Sequence, residues 1–122
     1  MKKIIDWFAP IHTVSEANCT EHFWKKKKRH DLQKKWIMVL FKKESPRCKV
    51  PVPCKIKLTR FGKRKLDSDN LPVSMKYVRD AIADQIFPGL AAGKADDDER
   101  IEWRYGQQIS SEIGVGIEFF ID

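Results

Sequence analysis

Apolar and polar residues alternate strictly from Cys54 to Arg60, where Cys54, Ile56 and Leu58 interleave with Lys55, Lys57 and Thr59. That period of two predicts a strand with one buried face and an outer face carrying Lys55 and Lys57. Two later stretches alternate in the same way: Ile101, Trp103 and Tyr105 against Arg100, Glu102 and Arg104, and then Ile113, Val115, Ile117, Phe119 and Ile121. Gln107 to Glu112 is the expected hairpin connection between them. A shorter strand is predicted at Lys3 to Phe8, ended by Pro10.

Helical spacing governs the two stretches between these strands. Asn18 with Glu21 three residues on has the form of a capping box, which predicts a helix from there to about Lys43, with Leu32, Trp36, Val39 and Leu40 on one face. Ser45 to Pro53 holds three prolines and reads as a loop. In the second stretch Leu71, Met75, Val78, Ile82 and Ile86 form a core stripe, Pro72 falls in the first turn, and Pro88-Gly89 ends the helix. The expected order is β-α-β-α-β-β: an α/β fold of the α+β two-layer kind, with a mixed sheet against two main helices. Residues 1–122 read as one domain, without repeats or an internal linker.

Charge changes this picture. The chain carries a formal +7, but 19 of its 24 Lys+Arg and only five of its 17 Asp+Glu fall at or before Lys65. A basic first half suggests a polyanionic partner, nucleic acid foremost. Its candidate contacts are Lys25, Lys26, Lys27, Lys28 and Arg29 in the first helix, Lys55 and Lys57 on the strand, and Lys63, Arg64 and Lys65 after it. A charge run is most often a solvated face, yet five adjacent like charges on a helix repel one another and are easier to accommodate against phosphates. The longest apolar run, Trp36 to Phe41, is six residues, far short of a membrane span. Met1 to Asp6 meets an acid after two apolar residues, so a cytoplasmic protein without a signal segment is expected. Cys19, Cys48 and Cys54 give no C-x-x-C pair; with His22 they are spaced too loosely for zinc, and Cys54 reads as a small apolar strand residue.

The acidic half needs its own explanation. Asp67 and Asp69 flank Ser68 at the end of what reads as an extended segment, where positions i and i+2 point the same way. Two converging carboxylates call for a cation, and oxygen-only ligands favour Mg²⁺, Mn²⁺ or Ca²⁺. Leu71, Pro72 and Val78 occupy positions that break the calcium-loop pattern. Asn70 is a candidate cap for the second helix. Lys76 and Asp80 lie one turn apart on that helix with Asp84 a turn further, either as a plain surface ion pair or with Lys76 directed at the carboxylates. Asp96, Asp97 or Asp98 can supply a third carboxylate at the start of the following strand, which is expected beside the strand that leads to Asp67.

Leu66-Asp67-Ser68-Asp69-Asn70-Leu71, then Lys76 four residues before Asp80-Ala81, then Asp97-Asp98 before Ile101, resembles the RusA family of Holliday junction resolvases, often carried by prophages. The resemblance covers about Leu66 to Arg104 and extends in part to the flanking strands. Lys76 lies seven positions after Asp69, three more than in the family pattern, which is close to one helical turn. The resemblance implies metal-binding acids at Asp67, Asp69 and Asp98, with Asp97 or Asp96 as alternatives for the third, and a catalytic lysine at Lys76. It further implies a homodimer that uses Mg²⁺, or Mn²⁺, to cut four-way DNA junctions in recombination and repair. Two other readings compete: a non-catalytic nucleic-acid-binding module with solvated acids, and a D-x-D enzyme acting on nucleotide-sugars. The second of these is disfavoured by the short chain and the lack of a nucleotide-binding βαβ unit.

Overall fold

A computed structural model describes residues 1–16, 20–44, 50–90 and 94–122. The elements follow as β1 (Lys2–Ala9), α1 (Phe23–Glu44), β2 (Cys54–Gly62), α2 (Asn70–Ser74), α3 (Lys76–Ile86), a 3-10 turn (Ala95–Asp97), β3 (Ile101–Ile109) and β4 (Gly114–Ile121). The four strands form one mixed sheet in the order β1-β4-β2-β3. β4 runs antiparallel to both β1 and β2, and β2 runs parallel to β3. This is the expected β-α-β-α-β-β order in an α+β two-layer arrangement.

Alternation decides which face of the sheet is covered. Ile5 and Trp7 of β1, Ile56 and Leu58 of β2, and Ile117 and Phe119 of β4 all point to the helices and are buried. Register aligns them: Trp7 faces Ile117, and Ile117 faces Leu58, while Phe119 pairs with both Ile5 and Ile56. Ile37, Leu71, Met75, Val78 and Ile82 close the core from the helix side. Trp7 meets Phe41 and Phe119 edge-on at 5.0 and 5.3 Å, which fixes α1 against the sheet in the favoured geometry for aromatic rings. β1 and β4 approach so closely that a Cβ on Gly114 would collide with the Phe8 ring and the Ala9 carbonyl.

The expected boundaries shift in four places. α1 begins at Phe23, later than expected; Asn18 of the expected capping box lies outside the described residues, and the Glu21 carboxylate accepts from Arg29. The inward line of α1 is Arg29, Gln33 and Ile37, whereas Leu32 and Val39 of the expected stripe are exposed. The second helix breaks at Met75 (φ −99°, ψ 3°) into α2 and α3, although its core stripe is kept. Gln107 to Ile109 continue β3, and the link from there to β4 is not the expected hairpin, because β4 pairs with β1 and β2 and so has β2 between it and β3. α3 ends before Pro88, and Gly89 takes the left-handed φ of 94° that a chain reversal there requires. Cys54 is a free, buried thiol, pushed up from its ordinary pKa by burial. Cys19 and Cys48 lie outside the described residues. Among the described residues no helix is long and apolar enough to cross a membrane.

Candidate functional site

The D-x-D segment is a turn, not an extended strand end. The amides of Asn70 and Leu71 both donate to the Asp67 carbonyl at 3.0 Å, so the chain is already winding into α2. Asp69 has helical backbone angles (φ −79°, ψ −25°), and neither it nor Asn70 caps α2 through its side chain. Strand geometry therefore does not make the two carboxylates parallel. Both are exposed, and among the described residues neither has an ion-pair partner, although Lys63, Arg64 and Lys65 immediately precede them.

β3 lies beside β2 as expected, but the parallel register decides what meets what. Ile101 pairs with Cys54, at the beginning of β2, and Gly62 pairs with Ile109. Leu66 is tied to the far part of β3, its amide and carbonyl held by the Gln107 side chain at 2.9 and 2.8 Å. The D-x-D turn, which follows β2, thus lies by the end of β3, whereas Asp98 precedes the beginning of β3. Asp98 is closed on Arg100: the guanidinium donates to both carboxylate oxygens at 2.9 and 2.8 Å, and the Arg100 amide adds a bond at 3.0 Å. Those bonds hold the Asp98 carboxyl down to about 2.

Asp96 and Asp97 are organised by Arg79, a residue the sequence pattern did not single out. Its guanidinium donates to the Asp96 carbonyl at 3.0 Å and to the Tyr105 hydroxyl at 2.9 Å. It lies 3.2 Å from the Asp96 carboxylate and 3.9 Å from that of Asp97, and stacks over the Trp103 ring at 4.9 Å. Trp103 Nε1 donates to the same Asp96 carbonyl at 3.1 Å. Asp80, one turn past Lys76, is pushed up from its ordinary pKa, first by burial and then by the Asp96 charge, with Lys76 acting the other way. Lys76, Asp80 and Asp96 therefore share one electrostatic neighbourhood on α3 and the turn that packs on it.

The acids do not form the three-carboxylate set that the resemblance implies. Among the described residues no group of three His, Cys, Asp or Glu side chains is placed to hold a metal ion. Asp67 and Asp69 remain as an exposed, uncommitted pair. Magnesium is commonly held by one or two carboxylates with substrate phosphates in other positions, so the donor chemistry of that pair fits it. Asp98 fits only after Arg100 has let go.

The basic residues differ in what surrounds them. Lys25, Lys28, Lys57, Lys63, Arg64 and Lys65 are exposed; Lys26 is half-buried; Lys27 pairs with Asp31 at 3.1 Å and Lys55 with Glu102 at 3.4 Å. Arg29 leaves the expected phosphate-binding set. It is 7% exposed and turned inward onto Glu16 and Glu21, the ion pairs raising its pKa against the opposing effect of burial. Those same pairs, with His30 at 2.9 Å, depress Glu16 despite its burial.

A strap at Pro10–Thr13 links the two exposed basic segments. Gln33 Nε2 donates to the His12 carbonyl at 2.7 Å. On the other side, Arg60 donates to the Thr13 hydroxyl at 3.1 Å and to the Arg64 carbonyl at 2.7 Å. The chain matches no family model, no characterised protein and no solved structure.

Proposed function

We propose that this protein is a divalent-metal-dependent, structure-selective endodeoxyribonuclease that resolves branched DNA such as four-way junctions. The observation that carries this reading is the D-x-D turn: two exposed carboxylates without ion-pair partners among the described residues, directly after three exposed cations and leading through the short α2 to α3, which bears Lys76 and Asp80. Unpaired carboxylates amid so much positive charge suit a cation held against a phosphodiester. The motif order that resembles the RusA family supports the same reading.

The cofactor in this reading is Mg²⁺, with Mn²⁺ as a substitute, seated on Asp67 and Asp69 with DNA phosphates completing its shell; such an ion supplies an activated water and neutralises developing charge. Lys76, exposed on the first turn of α3, is the residue to stabilise charge on the phosphate oxygens. Lys25, Lys28, Lys57, Lys63, Arg64 and Lys65 hold the DNA backbones. A homodimer belongs to the proposal, since symmetric cuts in a two-fold junction suit a two-fold protein.

The second reading is a non-catalytic nucleic-acid-binding protein. It is favoured by one observation: the Asp98 carboxylate is satisfied by Arg100 and that of Asp96 lies against Arg79, as structural acids would be. Incubating the protein with a four-way junction and a linear duplex in Mg²⁺ separates the two. Nicks confined to the junction support the nuclease; binding without nicks supports the module.

A further inference from the structure

Between the Pro10–Thr13 strap and α1 lies a cleft of about 400 Å³. Ile11, Leu32 and Trp36 give it apolar walls, Lys25 and Lys28 stand at its rim, and Gln33 lines it from the core side. Gln33 is 1% exposed. Its Nε2 is committed to the His12 carbonyl, which fixes the amide orientation and leaves Oε1 buried with no hydrogen-bond partner among the described residues. An unpaired buried acceptor costs free energy unless something donates to it. The cleft therefore fits a ligand with three properties: a flat apolar body, an N–H at its edge, and a negative charge that reaches the lysines.

A nucleotide has all three. Its base offers an N–H along the edge, and its faces stack on aromatic side chains. The surroundings extend the match, because Trp24, Lys28, Leu32 and Lys35 line an adjoining cleft of about 310 Å³ along the same helix face. Aromatic side chains interspersed with cations are the usual surface for unpaired strands, where rings take bases and cations take phosphates. We infer that this cleft receives one unpaired nucleotide of a DNA strand, its base against Trp36 and Leu32 with an N–H on Gln33 Oε1, and its phosphates on Lys25 and Lys28. This rests on DNA being the substrate and adds what part of a branched molecule the protein reads: the unpaired nucleotide at the branch.

The test is fluorescence anisotropy in EDTA with three labelled 20-base-pair duplexes: one with a central unpaired dA, one with an abasic residue at that position, and one fully paired. The wild-type protein is expected to bind the first about five- to tenfold tighter than the second, the scale of one base stacking on an aromatic ring. Gln33→Met and Leu32→Glu should remove that difference. Leu32 is 47% exposed, so its replacement leaves the core intact even if the Gln33 variant folds poorly. Lys25→Ala with Lys28→Ala should weaken all three duplexes. Equal binding of the dA and abasic duplexes, or full discrimination by Leu32→Glu, overturns the inference. Free dAMP competing at the concentration of the bulged duplex overturns the strand as the ligand. Because EDTA prevents metal-dependent cutting, the assay reads the cleft alone: a protein that cuts junctions without discriminating loses only the cleft, and one that discriminates without cutting loses only the nuclease.

Discussion

His30 of α1 lies flat on Tyr77 of α3, ring centroids 3.6 Å apart and planes 21° from parallel. This stack joins two neighbourhoods. On one side Tyr77 follows Lys76, whose ammonium is 5.7 Å from the Tyr77 ring centroid. On the other, His30 bonds to Glu16, which also holds Arg29 at the cleft. Measured in a double-mutant cycle, His30→Ala and Tyr77→Ala should show a coupling of about 1 kcal/mol, the usual scale for a stacked aromatic pair. Additive effects would mean that the stack does not fasten α1 to α3.

Glu16 is the keystone of the polar layer beneath that stack. Replacing Glu16 by Gln removes one partner of a buried ion pair, and with Glu21 still on Arg29 the expected loss is about 3 kcal/mol, the lower end for such breaks. The sign with pH follows from the depressed Glu16 carboxyl. Its contribution is fully present above the ordinary value of 4.5 and is lost as pH falls through the lower folded-state value. Urea unfolding at pH 7, 4.5 and 3 should therefore give a shallower acid decline for Glu16→Gln than for the wild type. Parallel declines would remove Glu16 from the explanation.

Asp80 acts in the opposite sense. Its pKa is raised, first by burial and then by the Asp96 charge, so its contribution to stability is greatest below its ordinary value of 3.8 and falls as pH rises and the carboxylate forms. Asp80→Asn should stabilise the protein at pH 7, by about 0.2–0.5 kcal/mol from relief of the i,i+4 repulsion with Asp84 alone. The gain should vanish near pH 3. A drop in stability at pH 7 would show that Asp80 has a favourable partner that outweighs Asp96 and Asp84.

The run Lys63-Arg64-Lys65 should be read in the salt dependence of DNA binding. Changing all three to Ala should lower the slope of log K against log salt by up to about 2.7, at about 0.9 for each duplex phosphate that no longer meets a cation. Arg29→Lys should leave that slope unchanged, because Arg29 faces Glu16 and Glu21. An unchanged slope for the triple variant would place the DNA elsewhere.

The strands were legible because β1, β2 and β4 each bury one face, so Cys54–Leu58 and Val115–Phe119 declare themselves by alternation alone. The inward face of α1 was not. Arg29 and Gln33 are buried through ion pairs and a hydrogen bond to distant residues, and hydrophobic periodicity is blind to polar groups that are satisfied inside. Leu32, by contrast, looked like core and lines a cleft. The acids were recognisable as a set of residue types, but their placement depended on non-local pairing: the register that sets Ile101 beside Cys54, and the closure of Asn70 and Leu71 on the Asp67 carbonyl. Neither can be read from spacing. Arg79, which fastens Asp96 to α3, stands between Val78 and Asp80 with no spacing that sets it apart from the other charges of that helix.

If the D-x-D turn cuts branched DNA, Asp69 is the residue on which that cutting should depend. Cleavage of a labelled four-way junction in Mg²⁺ by the wild type and by Asp69→Asn, with junction binding followed in parallel, tests this without intermediaries. The wild type should cut. The variant should lose about 100-fold or more in rate, the scale of removing one transition-state interaction, while both bind the junction equally. Asp69→Asn protein that cuts at the wild-type rate would overturn the nuclease reading.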